Sequence, residues 1–223
     1  MSKKSHKRSA KAARGQVSSG KPSKFGKPKF TPTKLRIVSG EMRGRLVAYN
    51  GDPATRPMKQ RTREAIFSLL GGKFDGPWCL DLFGGTGILG MEAVSRGASS
   101  ATILELSRPA VGTMLANLKE LSLEDRVRVL HVDTLRWLKH VEANIQIQAP
   151  NSPWVIFACP PYRMWAAEQE KLIPGLNELF RLAPPDSALV CETDWTFDLP
   201  AAMEHLEWDS RKYEPAIVSI ARK

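Results

Sequence analysis

Apolar residues follow two rhythms along residues 35–223. Short runs rich in β-branched and aromatic side chains alternate with longer stretches in which apolar positions recur every three or four residues. These are the spacings of strands and of helices packed on one face. The runs at 78–83, 101–104, 127–132, 154–158 and 188–191 read as strands. Helices are expected at 88–95, after Ser107, at 134–138 and over 165–182, the last interrupted near Pro174 and Gly175. On the helix after Ser107, an expected N-cap, Val111, Met114, Leu115 and Leu118 fall on one face. A terminal antiparallel pair is expected at 205–209 and 216–221.

Ahead of these units, residues 36–39 and 46–49 flank Gly40-Glu41-Met42-Arg43-Gly44, a short loop with glycine at both ends that suits a β-hairpin, with Arg43 and Arg45 at its tip. A helix follows over 58–70, with Ala65, Ile66, Leu69 and Leu70 on the packed face and Lys59, Arg61 and Arg63 largely elsewhere, stopped by Gly71-Gly72. Alternation of strand and helix makes the fold α/β and doubly wound. The expectation is a mostly parallel, seven-stranded sheet of Rossmann-like type, preceded by the hairpin and helix, with a ligand over the carboxyl ends of the first strands.

Charge divides the chain. Of 33 Lys and Arg, eleven fall in residues 1–34, which hold no Asp or Glu, so 22 basic residues face all 23 acidic ones in the rest. A segment so poor in aliphatic residues and rich in Lys, Ser, Gly and Pro cannot offset its ordering entropy by burial. Residues 1–34 are therefore expected to be a disordered basic arm suited to RNA phosphates, and 35–223 a single domain. A solubilising tail and an organellar transit peptide are the other readings of such a segment. Cys79, Cys159 and Cys191 are too few and scattered for a disulfide framework or a metal site, which fits a reducing, cytoplasmic setting. No apolar window reaches membrane-span length, and no apolar stretch follows the basic start as in a secretory leader. The expected state is a monomer.

Chemistry concentrates at Asp81-Leu82-Phe83-Gly84-Gly85-Thr86-Gly87, where a strand runs into glycines and then a helix. Glycines admit a ligand close to the backbone, and the helix N-terminus offers amides and positive potential. Gly85-x-Gly87-x-x-Gly90 also fits a dinucleotide fingerprint, and Glu105, at the end of the next strand, sits where it can accept from ribose hydroxyls. Asp81 separates the two ligands: it would repel a pyrophosphate, whereas it can pair with the ammonium of S-adenosylmethionine. A dehydrogenase is the less favoured reading. Asp133 either accepts from the adenine amino group or simply caps the next helix.

These residues carry a resemblance. From Leu35 onward the chain resembles the bacterial S-adenosylmethionine-dependent methyltransferases that modify guanine N2 in small-subunit ribosomal RNA. It does so through Arg36 to Gly40 with Arg43-Gly44-Arg45, Thr55-Arg56-Pro57, Arg61, Arg63-Glu64-Ala65, Asp81 to Gly87, Leu89 to Ala93, Ser95 to Ala98, Glu105, Asn117-Leu118 and Pro160-Pro161-Tyr162. The resemblance implies a class I methyltransferase fold, with Asp81, Phe83, Gly85, Gly87, Glu105 and Asp133 on the cofactor. It also implies a catalytic loop of Cys159, Pro160, Pro161 and Tyr162 that holds the target amine and stacks on an extruded base. The family pattern has Asp or Asn where Cys159 stands, and a neutral thiol is a weak acceptor. The alternative reading is therefore a relative that binds cofactor and RNA without turnover. A cysteine nucleophile, as in pyrimidine C5 methylation, is less favoured because no activating base is evident. Gln60 stands where the family has Asp. Arg43, Arg45, Arg56, Arg61 and Arg63, with Arg36, are expected to contact phosphates of structured RNA, the partner being ribosomal RNA or an assembling small subunit.

Overall fold

A computed structural model describes residues 32–52 and 55–223 of the chain. Most of the basic arm lies outside the described residues; Thr33 and Lys34, expected within it, open the first strand. The elements in chain order are β1 (Thr33–Arg36), β2 (Leu46–Tyr49), α1 (Gln60–Leu69), β3 (Trp78–Asp81), α2 (Ile88–Ser95), β4 (Ser100–Glu105), α3 (Arg108–Leu121) and β5 (Val127–His131). They continue as α4 (Thr134–Lys139), α5 (Val141–Gln148), β6 (Trp154–Ala158), α6 (Arg163–Ala167), α7 (Gln169–Leu182), β7 (Ala188–Thr193), α8 (Leu199–Ala202), β8 (Asp209–Tyr213) and β9 (Ala216–Arg222).

The expected seven-stranded sheet is present in the order β5-β4-β3-β6-β7-β9-β8. Its first five strands are parallel, and β9 runs antiparallel to both neighbours. Strand order reverses at β3, which pairs with β4 on one side and β6 on the other, so the crevice at a switch point opens above Asp81 and the residues after Ala158. Both faces are covered, which is why β6 reads as a continuous apolar run. Val155 and Phe157 join one core with Ile66, Phe67 and Met114, while Trp154, Ile156 and Ala158 join a second with Trp137, Leu172 and Leu176.

Several expectations are corrected. The hairpin strand is Thr33–Arg36 rather than 36–39, with Arg36 opposite Leu46. Residues 37–45 form the loop, which lies on the end of α2: Ser95 Oγ donates to Ser39 O at 2.7 Å and accepts from the Met42 amide at 3.0 Å. A Cβ on Gly40, at φ +84°, would come within 1.7 Å of Ser95 O, so only glycine fits there. On α3 the packed face is Ala110, Met114, Asn117, Leu118 and Leu121, whereas Leu115 is exposed. Buried Asn117 takes the place expected of an apolar side chain because it hydrogen-bonds the backbone of Ala48 in β2. Helix α7 runs through Pro174, and the interruption falls at Glu168 instead. Gly175 serves closeness rather than breakage, since a Cβ there would meet Leu138 Cβ of α4 at 2.7 Å. The first terminal strand is Asp209–Tyr213, not 205–209, and helices α5 and α8 went unforeseen.

Candidate functional site

Strand β3 delivers Asp81 to the crevice almost fully buried. Its Oδ1 accepts from the Phe83 amide at 3.3 Å, and its Oδ2 is buried without a hydrogen-bond partner. Burial above all pushes the Asp81 carboxyl up to about 7, with the Phe83 amide opposing, the charge of Glu105 adding and the Gly90 amide opposing. A buried acceptor left open beside a glycine loop fits a cationic donor, such as the ammonium of S-adenosylmethionine. The loop itself is tightly seated: a Cβ on Gly84 would lie 2.3 Å from Ile103 Cγ2, and Gly87 caps α2 in the left-handed region at φ +74°.

Glu105, at the end of β4, ties this loop to the next helix. One carboxylate oxygen accepts from the Gly85 amide at 2.7 Å and the other from the Ser107 amide at 2.6 Å. Each oxygen has two lone-pair directions, which leaves capacity for ribose hydroxyls. Asp133 caps α4, its Oδ1 accepting from the amides of Leu135 at 2.8 Å and Arg136 at 3.3 Å, which is the simpler of the two readings of this residue. Phe83 is half-buried against the second core. The residues ahead of α1 are drawn over the loop by Tyr49 Oη, which donates to the carbonyls of Asp52 at 2.6 Å and Thr55 at 2.8 Å, and by Ser107 Oγ, which donates to Asp52 Oδ2 at 2.7 Å.

Across the crevice, β6 ends in the Cys159-Pro160-Pro161-Tyr162 loop. Burial first, then the charge of Glu192, raises the Cys159 thiol well above its ordinary range, so it stays protonated at neutral pH. That is the opposite of what a nucleophilic cysteine needs, and the nucleophile reading loses its chemical basis. Pro160 is buried and the Pro161 carbonyl accepts from the Met164 amide at 2.8 Å. The Tyr162 ring is half-exposed, with its phenol donating to Glu192 Oε1 at 2.7 Å. Trp165 is fully buried, donates from Nε1 to Glu192 O at 2.8 Å and stacks on Phe197.

The arginines separate into two groups. Arg36, Arg43, Arg45, Arg56 and Arg61 are exposed; Arg36 donates to Gly44 O at 3.2 Å and Arg45 to Glu120 O at 2.8 Å. The charge of Arg56 reaches both Tyr162 and Glu192. Arg63 contradicts the expectation of a phosphate contact. It is 1% exposed, with Nε on Glu92 Oε2 at 2.7 Å and Nη2 on Arg36 O at 2.7 Å. Glu92 is fully buried too and binds Arg96 through its other oxygen, while the Arg96 guanidinium lies over the Phe67 ring. An unpaired charge at that depth is costly, so Arg63 is committed to the interior. Gln60 turns along its own helix, donating to Glu64 at 2.9 Å.

Residues 35–221 match the family model described as conserved hypothetical protein 95. The chain belongs to this family. The "Ribosomal RNA small subunit methyltransferase D" of Buchnera aphidicola subsp. Acyrthosiphon pisum is 36% identical over 172 residues, spanning 74% of this chain and 85% of its own length. The protein of the same name from Haemophilus influenzae is 30% identical over 182 residues, 80% of this chain and 81% of its own. Among solved structures, hypothetical protein TTHA0928 of Thermus thermophilus superposes with a TM-score of 0.68 at 25% identity, over 85% of this chain and 99% of that one. The conserved hypothetical protein 95 member described here is an S-adenosylmethionine-dependent methyltransferase of class I fold, which sets the dehydrogenase reading aside.

Two residues of this family member escaped sequence reasoning. Glu192, on β7, gave no motif; only the pairing of β6 with β7 brings it beside the Cys159-Pro160-Pro161-Tyr162 loop. Trp195, which no motif singled out, is 81% exposed just beyond the same strand end.

Proposed function

We propose that this methyltransferase modifies the exocyclic N2 of a guanine in small-subunit ribosomal RNA. The observation that carries the reading is the pairing, across one switch point, of the open buried Asp81 oxygen with the Pro-Pro-Tyr loop, beside exposed Arg56, whose charge reaches Tyr162. S-adenosylmethionine supplies the methyl group as an electrophilic sulfonium substituent. Asp81 pairs with its ammonium, Gly85 and Gly87 let it approach the backbone, Phe83 borders it, Glu105 accepts from its ribose, and the Asp133 oxygen outside the helix cap accepts from its adenine. Tyr162 offers a ring face to an extruded base, and the Cys159 loop frames the amine. The exposed arginines contact phosphates and set the orientation of the RNA, and residues 1–34 add salt-sensitive attraction to the same polyanion. No helix among the described residues is long and apolar enough to cross a membrane, and a monomer acting on cytoplasmic ribosomal RNA accords with this reading.

One observation favours a second reading. With a protonated thiol at position 159, the protein would bind cofactor and RNA without turning over. Transfer of labelled methyl to small-subunit RNA that lacks its native modifications, followed by nucleoside analysis, tests both. Label in N2-methylguanosine upholds the first; cofactor and RNA binding with no transfer upholds the second.

A further inference from the structure

A primary amine that attacks a methyl carbon must be held by hydrogen-bond acceptors so that its lone pair faces the carbon. Cys159 is a poor candidate, since a neutral thiol accepts weakly. Asp81, whose charge also acts on the Cys159 sulfur, is taken by the cofactor ammonium in the proposed function. Glu192 remains. Ala158 pairs with Cys191, so the next step along both strands sets Glu192 beside Cys159. The Glu192 amide also points to the Cys159 sulfur, and the carboxylate charge acts on that sulfur. Its side chain is aimed by contacts on two sides, Tyr162 Oη on Oε1 at 2.7 Å and the charge of Arg56. Trp165 fixes its backbone through the carbonyl. The phenol uses one of about four lone-pair directions of the carboxylate, which leaves the second oxygen for another donor.

We infer that Glu192 accepts a hydrogen bond from the target amine, supplying from the neighbouring strand the acceptor that Cys159 does not. The assignment rests on the proposed methylation of an exocyclic amine. It also gives Tyr162 two tasks, stacking on the base and orienting the acceptor, so that ring and carboxylate approach the same nucleotide as one unit. The aromatic face fixes the plane of the base, and the carboxylate fixes which edge of it turns toward the cofactor.

The test uses the full chain with Glu192→Met, which keeps length but offers only a weakly accepting thioether, Glu192→Gln, which keeps an oxygen acceptor, and Cys159→Asn combined with Glu192→Met. Retained S-adenosylhomocysteine affinity certifies the fold of each. Loss of one oriented partner is expected to lower kcat on the order of 100-fold in Glu192→Met, with Glu192→Gln within about tenfold of the parent and Cys159→Asn restoring most of the loss. Parallel titrations follow the fluorescence of 2-aminopurine at the target position of the RNA with S-adenosylhomocysteine present, and the Met variant is expected to bind it about tenfold more weakly, again rescued by Asn. This arm needs no turnover, so it decides the role of Glu192 even if the parent transfers nothing to guanine N2, the result that would sink the proposed function alone. Parent-like kcat and 2-aminopurine binding in Glu192→Met, or losses that Cys159→Asn leaves untouched, overturn the inference. Should Glu192→Met not fold, Cys159→Asn in the intact protein decides: a gain in kcat or binding below about fivefold means that an acceptor is already in place, and a larger gain means that none was.

Discussion

Asn117 clamps Ala48 through both ends of its side-chain amide, accepting from the Ala48 amide and donating to its carbonyl, each at 2.9 Å. A buried helix residue thereby stands in for a neighbouring strand at the edge of the hairpin. Asn117→Ala strands two backbone groups of β2, and each such group costs about 1–3 kcal/mol when buried. The expected result is a lowered urea midpoint and fast amide exchange at Ala48. A midpoint equal to the parent's would mean that the hairpin is held elsewhere.

The Asp81 carboxyl, pushed up to about 7, makes cofactor binding depend on pH. Without cofactor the folded protein keeps this proton up to near neutrality, whereas an unfolded Asp sheds it near pH 4. Its contribution to stability therefore falls as pH rises from about 4 to 7. Binding an ammonium favours the ionised form, so S-adenosylmethionine affinity should climb by up to about tenfold per pH unit below 7 and then level. Calorimetry at pH 6 in buffers of different ionisation heat should register proton release on binding, absent in Asp81→Asn. Affinity that stays flat from pH 5.5 to 7 would contradict the role assigned to this carboxylate.

Glu92 and Arg61 provide a contrast between interior and surface charge. Glu92→Leu leaves Arg63 and Arg96 unpaired in the interior and is expected to cost about 3–5 kcal/mol in denaturant unfolding. Arg61→Ala should change stability by less than about 0.5 kcal/mol while reducing the salt dependence of RNA binding by roughly one unit of slope. If Arg61→Ala left RNA binding intact at every salt concentration, its place on the RNA face would be withdrawn.

Trp195 stands 81% exposed beyond the strand that carries Glu192. If RNA is the substrate, an accessible indole there offers a stacking platform worth about 1–3 kcal/mol per base. Trp195→Ala is expected to weaken RNA binding about tenfold and leave the thermal midpoint in place. Quenching of Trp195 emission on RNA addition, absent in a Trp195→Phe control, supplies the direct readout.

Local signals made part of this molecule legible. Strand β6 and helix α2 fall on the expected residues because an unbroken apolar run and a glycine-bounded helix start depend on near neighbours alone. Ser107 caps α3 as its position implied, accepting from the Ala110 amide. Misreadings came where a distant partner decided the outcome. Arg63 looked like surface charge until Glu92, 29 residues away, drew it inward. Leu115 lost its expected place on the packed face of α3, where Asn117 bonds a strand 69 residues earlier. Glu192 acquires significance only from strand order, which periodicity does not encode. The glycine loop was legible because its turn and helix start are written in consecutive residues, whereas the surroundings of Cys159 are assembled from separate strands.

The carboxylate of Glu92, shared between Arg63 and Arg96, also constrains how this sequence can drift. Substituting Glu92 alone strands two cations in the apolar interior, whereas replacing Arg63 or Arg96 alone leaves the carboxylate one partner, so the costly single step is the one at position 92. Position 92 should therefore be the last of the three to change. Where a descendant has replaced position 92 by a neutral residue, positions 63 and 96 should both have lost their charge in the same lineage.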